Sequence, residues 1–139
     1  KIASVCEQSI IVARHMEPGH GHLVCVQDAE PSRAMLPEAV RYAHACQCPV
    51  SILSVAPTDK DLPNAQKAVD EAAAVFQAAG ITPHETLVEV GDPVQTIITI
   101  GFDFSLILAS ESLKPWFAKG FSVSHEVARQ ARNSVMIVK

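Results

Sequence analysis

The sequence predicts an α/β protein: a doubly wound, mainly parallel five-stranded sheet with helices on both faces. Three observations carry this. Short apolar runs alternate with amphipathic segments in the order β-α-β-α-β-α-β-α-β. Runs such as Leu23-Val24-Cys25-Val26 and Leu106-Ile107-Leu108-Ala109 are apolar throughout, the pattern of strands covered on both sides. Helix start and stop signals fall between those runs, and right-handed crossovers then wind the chain both ways.

The totals narrow the class. At 139 residues the chain is one domain, and 48% apolar against 19% charged residues is enough to bury a core. No apolar run approaches the ~20 residues that cross a bilayer. A net charge of −4, with five Phe, one Tyr and one Trp, argues against nucleic-acid binding. Cys25 lies in an apolar run, and Cys46 and Cys48 are too close for an easy bridge. The cysteines are therefore expected as reduced thiols of a cytoplasmic protein. No signal peptide is visible, and a start at Lys1 reads as a piece of a longer chain.

Taken in order, Ser9 to Arg14 is a short strand candidate and His15 to Gly21 a turn-rich connector. Laid on Val127 to Lys139, the stretch Ile2 to Arg14 pairs Ala3 with Ala128, Ser9 with Ser134 and Arg14 with Lys139. Such an echo is what the tail of a preceding repeat looks like; chance similarity between two helix-to-strand junctions is the plain alternative. Residues 1–20 are expected to be an N-terminal extension or linker, and 21–139 the domain.

His22 to Gln27 reads as a strand, and Asp28 to Ser32 as a loop and helix start. Leu36, Val40 and Ala43 share a helix face, with Pro37 forcing a late start or a local distortion. Pro49 to Ala56 is the second strand. Ala65, Ala68, Val69, Ala72, Phe76 and Ala79 mark a long helix that stops at Gly80. Thr82 to Val90 is the third strand. Asp92 caps the next helix, with Pro93 at its first position and Gln95 reaching back to complete a capping box. That helix ends near Gly101, and Ser105 to Ala109 follows as a strand. Ser122 opens the last helix, on which Val123, Val127 and Ala131 share a face. Val135 to Val138 closes the sheet.

In this architecture ligands lie beyond the carboxyl ends of the strands, where strand order reverses. The loops after Val26 and Ala109 are the candidates. A helix N-terminus there offers free N–H groups and a positive dipole end to a phosphate.

Leu23-Val24-Cys25-Val26 with Glu30-Pro31-Ser32-Arg33, the Ala-rich helix ending at Gly80, Gly91-Asp92-Pro93, and Ser122-Val123-Ser124 together carry a likeness. Over nearly all of Gly21 to Lys139 the chain resembles a universal stress protein domain. The resemblance implies a Rossmann-like α/β sandwich of the adenine nucleotide alpha hydrolase-like class, usually homodimeric through its last strand. One branch of that family binds ATP or AMP and carries an acidic residue closing the first strand and the pattern G-x2-G-x9-G-[ST]. Glycines there let the backbone approach phosphates, and the hydroxyl donates to them. Here Gln27 takes the acidic place, with Asp28 one residue later. Ala109 and Ser112 take the first two glycine places. Phe121 takes the third, beside Gly120, and Ser122 keeps the hydroxyl in a loop about one residue short of the pattern. Phe121 would crowd a phosphate; Lys114 and Lys119 could supply charge to an anion, but read more plainly as solvated loop lysines.

Other chemistry is weaker. His15, His20 and His22 cluster in the connector, and His20 and His22 could offer two imidazoles to a metal, with Cys25 close in sequence, against the plainer reading of a flexible connector with exposed histidines. Cys46-Gln47-Cys48 lacks C-x-x-C spacing, so neither a zinc knuckle nor a thioredoxin motif follows. Ser122 and His125 lack an orienting acid, so no catalytic residue is assigned. Asp92 is explained as a cap. Trp116 and Phe117 fit a pocket cover, a partner contact or ordinary loop packing.

The expectation is a non-enzymatic, cytoplasmic regulatory domain acting by self-association or with a larger parent chain, its nucleotide pocket degenerate. The alternative is a nucleotide sensor holding adenine between Val26, Gln27 and Val55, with phosphates on Ser112, Ser122 and Val123. Such a sensor would be part of a tandem stress protein or of a transporter's soluble domain. A metal module at the histidine connector is the third reading.

Overall fold

Strand pairing sets the architecture of this protein, whose computed structural model describes residues 10–12, 21–110, 123–131 and 134–138. Five strands run parallel: β2 (His22–Cys25), β3 (Val50–Ala56), β4 (Glu85–Val90), β5 (Leu106–Ser110) and β6 (Ser134–Val138). A sixth, β1 (Ile10–Val12), lies antiparallel along the outer edge of β6, giving the order β1-β6-β5-β2-β3-β4. The helices are α1 (Glu30–Cys46), α2 (Leu62–Ala78, after a 3-10 turn at Asp59–Asp61), α3 (Pro93–Gly101) and α4 (Val123–Gln130).

The pleat sorts strand side chains into two cores, since neighbours along a strand point to opposite faces. Val24, Ile52, Leu108 and Met136 pack with Met35, Ala39, Val69 and Phe76 of α1 and α2. Leu23, Leu53, Ile107 and Val135 pack with Ile97 and Val127 of α3 and α4. With both faces covered, alternation disappears from the sequence of β2, β5 and β6. The edge strand β4 differs. Its Glu85 and Glu89 are exposed, and charge on an edge discourages pairing with other chains.

Local chemistry explains most boundaries. α2 stops where Gly80 takes φ 85°, and Ile81 N–H donates to Phe76 O at 2.9 Å to close the end. α3 starts at Asp92, whose Oδ2 accepts from Gln95 N–H at 2.9 Å. The Gln95 side chain does not complete a capping box: its amide donates to Gln130 Oε1 at 3.3 Å, linking α3 to α4. Nor does Pro37 delay α1, which runs unbroken from Glu30. Pro37 lies on the exposed face, where water can satisfy the carbonyl that loses its N–H partner.

Candidate functional site

Strand order reverses between β2 and β5. From β2 the chain proceeds to β3 and β4 on one side, then returns through β5 and β6 on the other. The switch point therefore falls where Cys25 pairs with Ala109, the place at which folds of this class hold ligands.

Beyond β2 the backbone is already engaged. Val26 N–H donates to Leu53 O at 2.9 Å, and Gln27 N–H donates to the buried Ser32 Oγ at 3.0 Å in the first turn of α1. Asp28 is not a free acceptor. Its carboxylate pairs with the Arg33 guanidinium and with Lys67 Nζ at 3.6 Å, while Arg33 Nε reaches Glu71 Oε1 at 3.2 Å. This network ties the loop to α1 and α2.

Val26 and Val55 lie at the carboxyl ends of the paired strands β2 and β3, with their side chains on different faces. Val26 is buried in the core under α1 and α2, whereas half-buried Val55 packs on the other sheet face. Ala109 is fully buried, its methyl within the α3–α4 core. Val123 is the first residue of α4. Ser112, Gly120, Phe121 and Ser122 lie outside the described residues, as do Lys114, Lys119, Trp116 and Phe117 on the same loop and His15 and His20 in the connector.

One residue at this point escaped sequence reasoning. Ser110 ends β5 with its hydroxyl buried and without a hydrogen-bond partner among the described residues. The available signal was a polar residue closing an apolar strand at the switch point. A buried hydroxyl without a partner marks a place where a ligand or water completes the bonding.

The opposite end of the sheet holds a second group of polar atoms. His22 opens β2 and is buried, its Nδ1 unpartnered, and burial pulls its pKa below the ordinary histidine value. The Cys46 and Cys48 sulfurs stand in bonding contact, with Cα atoms 5.1 Å apart. This corrects the expectation of separate thiols. Gln47 between them adopts φ 57° and ψ 36° as the cap of α1, a left-handed turn that folds the two cysteines back on each other. Cys25, by contrast, is a lone buried thiol whose pKa burial pushes up to about 12. Burial thus disfavours the thiolate, the nucleophilic form.

The sequence matches no protein-family model, and no curated protein was found to match it. Solved structures do match. A universal stress protein from Archaeoglobus fulgidus superimposes with TM-score 0.71 at 21% identity, covering 86% of this chain and 98% of that one. A universal stress protein in complex with cAMP gives TM-score 0.71 at 23% identity, covering 88% and 98%. A putative universal stress protein from Pseudomonas aeruginosa UCBPP-PA14 gives 0.67 at 15% identity, covering 94% of this chain but 52% of that one. The fold is that of universal stress proteins. No helix among the described residues is long and apolar enough to cross a membrane.

Proposed function

We propose that this chain is a regulatory domain of the universal stress type that works in the cytoplasm by strand-mediated association rather than catalysis, with an altered nucleotide cleft. The register of β1 on β6 carries the reading. The sequence echo sets Ile10, Ile11 and Val12 on Val135, Met136 and Ile137. The strands themselves pair Ile10 with Ile137, Ile11 with Met136 and Val12 with Val135. Ile11 therefore faces its own counterpart, and the flanking pairs exchange under a half-turn about that point. Two equal domains meeting through their last strands have this symmetry.

On this reading residues 1–20 are the tail of a preceding repeat, and β1 supplies in cis what a second copy supplies in a homodimer. The Pseudomonas protein, nearly twice the matched length, fits a tandem parent. One feature supports alteration of the cleft: Asp28 is held by Arg33 and Lys67. Sedimentation analysis tests the association. The 139-residue chain is expected to remain monomeric at concentrations where a variant lacking residues 1–20 dimerises through the bared β6. A shortened variant that stays monomeric refutes it.

A sensor of adenine nucleotides, ATP or AMP, is the second reading. It is favoured by the unpartnered Ser110 hydroxyl at the switch point and by the neighbour solved with cAMP. Calorimetric titration with ATP, AMP and cAMP in the presence of magnesium separates the two. Micromolar binding puts the sensor first; no heat at millimolar ligand leaves the altered cleft.

A further inference from the structure

We infer that His22, Cys46 and Cys48 form a binding site for a zinc-class ion at the amino ends of the strands, independent of the switch point at their carboxyl ends. One donor atom from each residue lies within 4.8 Å of the other two. His22 begins β2 opposite Val50, two residues after Cys48, and its N–H donates to Pro49 O at 2.9 Å. That bond holds the start of β2 against the chain that leaves α1. The positive φ at Gln47, unique among described non-glycine residues, then brings Cys46 and Cys48 to the same side.

The second, independent observation is the imidazole itself. His22 is 5% exposed and its Nδ1 has no hydrogen-bond partner among the described residues, although buried polar atoms are nearly always satisfied. An ion held by the imidazole and the two sulfurs would give this buried ring a polar partner. Cys46 is exposed and Cys48 half-buried, so the donor set runs from interior to solvent and leaves an entry path and an open fourth position. Two thiolates and one imidazole suit zinc or another soft d10 ion and exclude calcium and magnesium, which take oxygen ligands. Two thiolates also balance a divalent charge.

Binding requires the reduced pair. The zinc ion replaces both thiol protons, two S–Zn bonds form, and two protons leave to solvent. With the sulfurs joined, neither is available.

Cobalt(II) titration of the phosphine-reduced 139-residue chain under argon tests the site. One ion per chain is expected, with a thiolate-to-cobalt charge-transfer band and the strong visible bands of tetrahedral cobalt, all bleached by zinc. Cys48→Ser and Cys46→Ser should lose the charge-transfer intensity. Each should weaken binding beyond the roughly tenfold to hundredfold that loss of an outer-sphere partner costs. His22→Asn should shift the visible bands and weaken affinity likewise; the cysteine variants carry the test if it does not fold. Zinc should raise the Tm of the reduced wild type and not of Cys48→Ser. A reduced, folded chain without the charge-transfer band overturns the inference. So does a spectrum unchanged in Cys48→Ser, or one ion shared between two chains.

Discussion

Replacing Gly21 with alanine should cost far more than replacing Gly80, although both hold φ near the same left-handed value, 87° and 85°. A side chain in that region costs roughly 1–2 kcal/mol, offset by about 0.4–1 kcal/mol because the unfolded chain loses freedom. At Gly80 nothing lies within 4 Å of an added Cβ, so Gly80→Ala should cost only about 1 kcal/mol. At Gly21 the added carbon would overlap the Pro49 carbonyl oxygen and stand 2.9 Å from its carbon. Backbone cannot rotate away as a side-chain tip can. The same oxygen accepts from His22 N–H at 2.9 Å, and Gly21 O accepts from both Ser105 N–H and Ser105 Oγ–H at 2.9 Å. Prying β2 from Pro49 strains these three bonds at about 1 kcal/mol each. Gly21→Ala should therefore cost about 3–5 kcal/mol in all, and at about 3–5 °C per kcal/mol it should lower Tm by ~10–20 °C. Urea unfolding followed by far-ultraviolet circular dichroism, with m-values compared, measures both variants on one scale. Equal losses in the two would refute the reasoning, because they would show that only φ matters and that the approach of β2 to Pro49 holds nothing.

Three further outcomes are expected. Phe76→Ala, at a fully buried ring under α2, should cost about 3–5 kcal/mol in the same assay. Asp92→Ala removes the acceptor for Gln95 N–H and should cost about 1 kcal/mol, with Asp92→Asn restoring most of it. Cys25 should resist alkylation in the native protein and react once urea unfolds it. Its folded pKa of about 12 lies above that of an unfolded thiol, so the folded state keeps a proton that the unfolded state loses. Stability should then fall as pH rises from about 9 toward 12, by up to about 1.4 kcal/mol per pH unit more in wild type than in Cys25→Ala.

How far the sequence reads depends on whether a residue's meaning is local. The two-faced burial of Leu23 to Val26 and Leu106 to Ala109, the Gly80 stop and the Asp92 cap are all properties of short stretches, and each stands in the structure. The register of β1 was half legible. The echo between Ile2–Arg14 and Val127–Lys139 marked the segment, and the resemblance implied association through the last strand. The site was harder because it is assembled across the chain. Nothing near Asp28 shows that Lys67 and Glu71, a helix away, engage it and its partner Arg33. Nothing near Cys46-Gln47-Cys48 announces His22, which reaches the pair only because β2 and β3 lie side by side. Gln95 turned to Gln130 for the same reason: a local partner lost to a tertiary one.

The antiparallel seam between β1 and β6 also has a consequence for dosage. Two separate copies meeting edge to edge obey mass action, so the fraction paired rises and falls with the amount of protein made. Here both strands belong to one chain, and their encounter is governed by an effective concentration fixed by the intervening polypeptide. The seam consequently forms to the same extent in a single molecule as in a crowded solution.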